Sequence, residues 1–352
     1  MIHIKLSSSQ ISNIKEKWAL WFFKTKRINK FIAVLDEDAV FRQLLFEKAD
    51  YNEWKEQYKK KTQVIKCKDW QFPVTAYFFE DLSDKDRVLK KYAKELKAST
   101  VSFLLCAYNS YRQSITLVRI IDEIGIQVCP YCNRNFIDRY ALSDWQGNKK
   151  FYYKGDLDHY YSKNEIPALI LSFYNLIPCC KVCNHEKHDS NLRTFHPYYD
   201  YEEEEYCFSI ELYSDEDEVD IVYEKPLEEI ENKRYDSTVW QGVSDNFKII
   251  FKGIHNSELD ESMENSNKVF RLEKKYNHSK EYVKELIRKQ YIYPEMKKKE
   301  LLKYFSEIFK TESDLDDVFF STSSLTPDKA YDRPLSKLTK DILKQLGRIF
   351  HK

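Results

Sequence analysis

The sequence predicts a mixed α+β protein in which a small zinc-binding core is flanked by largely helical regions. Two Cys-x-x-Cys pairs, Cys129/Cys132 and Cys180/Cys183, have the spacing of a tetrahedral zinc site. Aromatic-rich segments between the pairs suit short β-strands, and long stretches on either side have the apolar spacing of helices. Only 6 glycines accompany 26 tyrosines and 22 phenylalanines, which favours a compact, helix-rich chain.

Residues 1–124 are predicted to form a helical N-terminal region. Ser83 is the expected N-cap of one helix, and Gly125 is the expected left-handed residue that ends another. These helices would form a platform that leads into the first cysteine pair. They are predicted over residues 9–26, 87–96 and 101–124.

The core is predicted over residues 125–200. Strands are expected at Phe136–Tyr140, Lys150–Tyr153 and Leu157–Tyr161, a short helix at Pro167–Phe173, and a further helix that starts at Asn184. In that last helix, Asn184 and His188 would lie one turn apart on the same face.

Residues 201–352 are predicted to begin with strands and to continue as helices. The alternating segment Tyr206–Leu212 is expected to pair with Val219–Tyr223 across an acidic turn. Charged sequence with helical spacing follows over 265–309, and Pro334 introduces a last helix at Leu335–Phe350.

The two cysteine pairs are interpreted as a structural zinc site. Ordinary buried thiols would not require two separate Cys-x-x-Cys spacings. A disulfide framework fits poorly, because a chain of 352 residues can build its own core and its first residues do not resemble a secretory signal. Cys179 is an alternative ligand, although it breaks the two-residue spacing.

Polar residues around the second cysteine pair carry a family resemblance. Asp158-His159, then Asn175-Leu-Ile-Pro, then Cys-Lys-Val-Cys-Asn184 and Lys187-His188 occur in that order. This pattern is similar to the HNH endonuclease motif in its cysteine-bearing, ββα-metal form. The resemblance covers residues 125–200, roughly a fifth of the chain.

The resemblance implies a role for each of these residues. His159 would be the general base that activates water, and Asn175 would brace the loop that orients it. A divalent cation would be held by Asp158, Asn184 and His188, with His185 or His196 as alternatives to His188. Lys187 would contact a substrate phosphate, and His196 is a further candidate for that contact.

The chemistry of phosphodiester hydrolysis agrees with these roles. It needs a base that is neutral near pH 7, and the ordinary histidine pKa of about 6.5 suits this task. It also needs a cation to offset charge on the phosphate, and a mixed oxygen and nitrogen donor set favours Mg²⁺ or Mn²⁺. A zinc deaminase is excluded, because valine stands where its second cysteine would fall and no His-x-Glu precedes it.

We therefore expect a DNA endonuclease, with a catalytically silent zinc-stabilised adaptor as the alternative. Large helical flanks around such a core are similar to nucleases of bacterial anti-phage defence systems, including the Septu-like group that works beside an AAA/ABC-type ATPase. No phosphate-binding Gly-x-x-x-x-Gly-Lys-Ser/Thr occurs here, so an ATPase would be a partner chain. Lys+Arg and Asp+Glu are equal at 57 each, which indicates weak long-range attraction to DNA. No apolar run reaches the about 20 residues of a membrane span, so we expect a cytoplasmic protein.

Overall fold

The computed structural model describes residues 1–60, 73–147, 149–188, 190, 192–199, 206–213, 236–253, 261–321 and 332–350. Helices and short strands alternate in the middle of the chain, and helices dominate both flanks. The helices are α1 (Ser8–Phe22), α2 (Thr25–Glu37), α3 (Ala39–Leu45), α4 (Tyr51–Lys60), α5 (Pro73–Phe78), α6 (Lys85–Tyr92), α7 (Ala98–Arg112), α8 (Ile115–Ile124), α9 (Lys181–Lys187), α10 (Glu261–Phe270), α11 (Leu272–Asn277), α12 (Lys280–Ile292), α13 (Glu295–Tyr304), α14 (Glu312–Phe320) and α15 (Ser336–Phe350). The strands are β1 (Arg139–Ser143), β2 (Lys149–Tyr153), β3 (Asp156–His159), β4 (Leu176–Cys179), β5 (Tyr206–Leu212) and β6 (Phe247–Gly253).

The N-terminal region is helical, as predicted, but its helix ends differ. The single helix expected over 101–124 is divided into α7 and α8, because the Ser114 side chain accepts a hydrogen bond from the Leu117 amide and starts a new helix. Gly125 ends α8 in the left-handed conformation, with φ of 80°. Asp84, not Ser83, caps α6, since its side chain accepts from the Arg87 amide.

The middle of the chain holds two antiparallel strand pairs followed by a helix. β1 pairs with β2, β3 pairs with β4, and α9 packs against β3. The first strand lies later than expected, because Phe136 belongs to the hairpin of the first cysteine pair. Two 3-10 turns, Pro167–Leu169 and Phe173–Asn175, replace the short helix expected at Pro167–Phe173.

The C-terminal region combines one strand pair with helices. β5 lies where it was predicted and pairs along its whole length with β6. The predicted partner Val219–Tyr223 lies outside the described residues. The side chains of Asp341 and Gln345 on α15 accept hydrogen bonds from the Phe208 and Ile210 amides, so this helix lies against β5.

The first cysteine pair is attached to the C-terminal helices. The Asn133 side chain accepts from the Lys337 amide at 2.9 Å, and the Tyr276 hydroxyl donates to the Cys132 carbonyl at 2.7 Å. Buried apolar side chains from both flanks and from the middle of the chain form one hydrophobic cluster. The boundaries at residues 124 and 200 therefore stay predictions. Among the described helices, none is long and apolar enough to cross a lipid bilayer.

Candidate metal centre and catalytic cleft

Four cysteine thiols converge at the start of α9. The Sγ atoms of Cys129, Cys132, Cys180 and Cys183 all lie within 4.8 Å of one another, and all four side chains are buried. A zinc–sulfur distance of 2.3 Å puts the corners of a thiolate tetrahedron about 3.8 Å apart. The Cys132–Cys180 sulfur separation is 3.9 Å. The donor set and its spacing therefore fit one zinc ion, as the sequence predicts.

Local backbone geometry explains how each pair presents its sulfurs. The first pair lies in a tight hairpin, in which the Asn133 amide donates to the Cys129 carbonyl at 2.8 Å and Asn133 adopts a left-handed φ of 46°. In the second pair, Cys180 is the N-cap of α9 and its sulfur accepts from the Cys183 amide. Hydrogen bonds from the neighbouring thiols lower the pKa of Cys180, which favours a thiolate at this helix start. Cys179 is buried in β4 and is not part of the cluster.

An open cleft of about 750 Å³ lies beside this cluster, between α7, β3 and α9. Its lining is rich in groups that bind phosphate or transfer protons. Asp156 and Asn184 contribute oxygen atoms, and Tyr108 forms part of an apolar wall. The basic and imidazole side chains of the lining are Arg112, Lys163, Lys181, His159, His185 and His188.

His159 lies half-buried at the end of β3, against the ring of Tyr108 at a centroid distance of 4.6 Å. Its Nε2 is 3.1 Å from the carbonyl oxygen of Ile170. A carbonyl oxygen only accepts, so this hydrogen bond requires the proton on Nε2 and leaves Nδ1 as the basic atom. Burial lowers the pKa of His159 to about 4, so the imidazole is neutral at pH 7.

Asn175 connects the strand that carries His159 to the loop that contacts it. Its side chain is fully buried, accepts from the Tyr161 amide at 2.7 Å and donates to the Tyr161 carbonyl at 3.2 Å. It also donates to the Leu169 carbonyl at 3.1 Å, one residue before Ile170. Asn175 therefore links the residues that follow His159 to the loop that carries the Ile170 carbonyl.

Asp158 and Lys187 form a buried ion pair. The Lys187 Nζ lies 3.1 Å from Asp158 Oδ2, and each residue is 3% exposed. The Tyr131 hydroxyl donates to the same carboxylate at 2.7 Å, and Lys187 also donates to the carbonyls of His159 and Tyr160. The structure thus brings the expected metal ligand and the expected phosphate contact to each other, away from solvent.

Asp156 also lines the cleft, although the motif pattern does not include it. Its Oδ2 accepts from Asn184 Nδ2 at 3.1 Å, and its Oδ1 lies 3.2 Å from an Arg112 guanidinium nitrogen. Asp156 is two residues before Asp158 and therefore lies on the same face of β3. The alternation of a strand was the available signal, whereas nothing in the sequence linked Arg112 or Tyr108 to this site.

The remaining predicted histidines occupy different surroundings. His188 lines the cleft, but α9 ends before it and its φ of 41° takes it off the helical face of Asn184. The expectation that the two residues share a helical face is therefore wrong. His185 is exposed and also lines the cleft. His196 is 3% exposed, lies against the rings of Tyr160 and Tyr199, and is not among the residues that line the cleft.

Within the described ranges, the four cysteines are the one group of three or more His, Cys, Asp or Glu side chains with ligand atoms this close together. In comparisons with known proteins, the chain matches no protein-family model, no curated protein and no solved structure.

Proposed function

We propose that this protein is a metal-dependent endonuclease that hydrolyses phosphodiester bonds in DNA, with β3, β4 and α9 as an HNH-type ββα core. The observation that carries the proposal is the environment of His159. Its Nε2 is held by a backbone carbonyl in an open cleft with basic lining residues, next to a cysteine cluster that fits zinc. The order of strand, strand and helix agrees with the motif resemblance.

The geometry of His159 supports proton abstraction from water. Its Nδ1 is the basic atom, and burial keeps that nitrogen unprotonated at neutral pH while making it a weaker base than an ordinary imidazole. The hydrogen bonds of Asn175 fix the loop that carries the Ile170 carbonyl, so the imidazole is positioned before substrate arrives. A bound Mg²⁺ or Mn²⁺ would supply positive charge to offset the charge that develops on the phosphate.

The cleft also supports a role in binding the DNA backbone. Arg112, Lys163 and Lys181 line it and carry side chains that pair with phosphate oxygens. Lys187 and His196, the contacts expected from the sequence, are both buried, so the exposed basic residues of the cleft are better suited to this role. The overall charge balance of zero leaves local charge as the source of attraction to DNA.

A place in a bacterial anti-phage system, with an ATPase or another sensor subunit as partner and a cytoplasmic location, is part of the same proposal. It is supported by the motif resemblance and by helical flanks larger than such a core needs. On this proposal the isolated chain cleaves weakly and becomes more active in the complex. Purification from the native host at its natural level tests this, and recovery of one fully active chain at physiological salt contradicts it.

A catalytically silent, zinc-stabilised adaptor is the second candidate. It is favoured by the mutual pairing of Asp158 and Lys187, which engages the charges of two side chains that were expected to act on a cation and a phosphate. An adaptor does not need the oriented imidazole of His159, so this residue separates the two functions.

A plasmid-nicking assay with Mg²⁺ or Mn²⁺ tests the proposal directly. His159→Ala should lower cleavage at least ~100-fold, the usual scale for loss of a general base, without changing the melting temperature. His278→Ala removes an exposed histidine outside the cleft and serves as the matched control. Absence of nicking by micromolar wild-type protein, or equal nicking by His159→Ala, contradicts the nuclease assignment and leaves the adaptor.

A further inference from the structure

The carboxylate of Asp158 is already fully engaged. One oxygen accepts from Tyr131, both oxygens lie within hydrogen-bonding distance of Lys187 Nζ, and the residue is 3% exposed. Asp158 is among the residues that line the cleft, but giving its carboxylate to a cation would leave the Lys187 ammonium buried without its counter-charge. The cation implied by the motif resemblance therefore does not fit on Asp158 in this arrangement.

Asp156 and Asn184 offer a different pair of ligand atoms at the cleft. Asp156 is two residues before Asp158 on β3, and Asn184 is three residues before Lys187 on α9. Asp156 is therefore one strand repeat from Asp158, and Asn184 is about one helical turn from Lys187. Asp156 Oδ2 is 3.1 Å from Asn184 Nδ2, and both residues line the open cleft with His159.

This separation matches the edge of a magnesium coordination shell. Magnesium–oxygen distances of 2.0–2.1 Å put two neighbouring octahedral ligands about 3.0 Å apart. A rotation of the Asn184 amide by half a turn exchanges its nitrogen and oxygen atoms with little movement of the side chain. The amide oxygen then lies about where Nδ2 now is, at the spacing that two ligands of one ion require.

We propose that Asp156 and Asn184, rather than Asp158, hold the divalent cation of this cleft. The inference rests on the proposed nuclease function and changes the ligand set that the motif resemblance implies. Arg112, 3.2 Å from Asp156 Oδ1, has an exposed side chain, so Asp156 can exchange this partner for a cation without leaving a buried charge, unlike Asp158. Magnesium commonly keeps one or two protein oxygen ligands and fills its other positions with water and substrate phosphate oxygens. The Asp158–Lys187 pair then has a structural role behind the site.

Binding of Mn²⁺ to the full-length, zinc-loaded protein tests the assignment without an activity readout. The loss of the free Mn²⁺ paramagnetic resonance signal reports the bound fraction. Asp156→Asn should weaken Mn²⁺ binding at least ~10-fold with an unchanged melting temperature, since a ligand charge is lost from an open site. Asp158→Asn should lower the melting temperature and keep Mn²⁺ affinity within about threefold, because the buried pair makes no contact with the ion. Asp86→Asn, an exposed carboxylate on α6, is the charge-matched control.

Asn184→Asp keeps the test decisive if Asp158→Asn does not fold. A second carboxylate facing Asp156 should tighten Mn²⁺ binding several-fold, because affinity for hard cations rises with ligand charge. Mn²⁺ binding that survives Asp156→Asn, or that Asn184→Asp leaves unchanged, overturns the ligand assignment. If either of these Mn²⁺ results occurs while nicking still depends on His159, the ligand assignment is refuted and the nuclease function stands. Asp156-dependent Mn²⁺ binding without any nicking refutes the nuclease and leaves the cation site.

Discussion

The residues of the predicted motif divide between two neighbouring regions with opposite properties. The closed region contains the cysteine cluster and the ion pair behind it, namely Cys129, Cys132, Cys180, Cys183, Asp158 and Lys187, all of which are buried. The open region is the cleft lined by Asp156, His159 and Asn184, and Asp158 lies at the boundary between the two regions because it is buried and also lines this cleft. Tyr131 lies between the first two cysteines in the chain, and its hydroxyl contacts Asp158 inside the closed region.

This difference in burial distinguishes residues that are suited to hold the fold from residues that are suited to contact a substrate. A metal site with four protein ligands and no access to solvent has no position for substrate, whereas catalytic sites keep open coordination positions. The closed region is therefore suited to hold β3, β4 and α9 together, and the open region is suited to exchange water, cation and phosphate. Asp158 is buried by its pairing with Lys187, whereas the adjacent His159 is half-buried in the cleft.

The largest effect is expected from loss of a zinc ligand in the closed region. Cys183→Ser should unfold the core, because zinc binding at such sites contributes on the order of 10 kcal/mol of folding free energy. The C-terminal helices should loosen with it, since Tyr276 donates to the Cys132 carbonyl and Lys337 to the side chain of the following residue, Asn133. Cys106→Ser, at an exposed thiol on α7, is the control. Elemental analysis that detects no zinc, or a Cys183→Ser protein that melts like wild type, would contradict the structural role.

A smaller loss is expected from breaking the buried ion pair. Lys187→Met should lower the free energy of unfolding by about 3–5 kcal/mol, because it leaves the Asp158 carboxylate buried without its partner. Lys181→Met, at an exposed lysine of the same helix, should change stability by less than about 0.5 kcal/mol. Denaturant unfolding measures both variants. Equal midpoints for the two would show that the pair does not stabilise the closed region.

The buried imidazole of His196 should make stability depend on pH. Burial, with a contribution from Lys187, lowers its pKa to about 3 from an ordinary value of 6.5. Between these values the unfolded chain binds a proton that the folded chain does not, so stability is full above pH 6.5 and falls as the pH is lowered.

The variant His196→Phe keeps a ring among the surrounding tyrosines and removes the titrating group. The stability of wild type relative to this variant should fall by up to about 2 kcal/mol between pH 7 and pH 5. Chemical unfolding at several pH values measures the difference, and the contribution of His159 is present in both proteins. A constant difference over this range would mean that the pKa of His196 is the same in the folded and the unfolded protein.

Much of the fold followed from local signals. The cysteine spacing, the alternation of β5 and the glycine that ends α8 all act within a few residues, and the structure agrees with each of them. Helix ends were less predictable, since Ser114 and Asp84 compete with neighbouring residues as caps. The pairing of β5 with β6 depends on contacts between distant segments that periodicity does not report.

The candidate site was predictable in its residue types and less so in their positions. Asn175 ends a 3-10 turn directly before β4, and from there its side chain bonds Tyr161 and Leu169 on either side of the loop. Asp158 was expected to hold a cation and Lys187 to contact a phosphate, yet the packing of α9 on β3 brings the two side chains together in a buried ion pair. Arg112 and Tyr108 come from a helix more than 40 residues away along the chain, so only tertiary packing reveals them.

The smallest effect is expected from removing one basic side chain of the open region. Lys163 is exposed and lines the cleft, so Lys163→Gln should remove one phosphate contact. The slope of log affinity against log salt should fall in magnitude by about 0.9, which corresponds to about threefold less salt sensitivity between 50 and 200 mM. Lys274→Gln, at an exposed lysine outside the cleft, removes the same charge and should leave the slope unchanged. Fluorescence anisotropy with a short duplex measures both variants. Equal slopes for the two would mean that DNA does not lie in the open region, whatever role the closed region has in holding the fold.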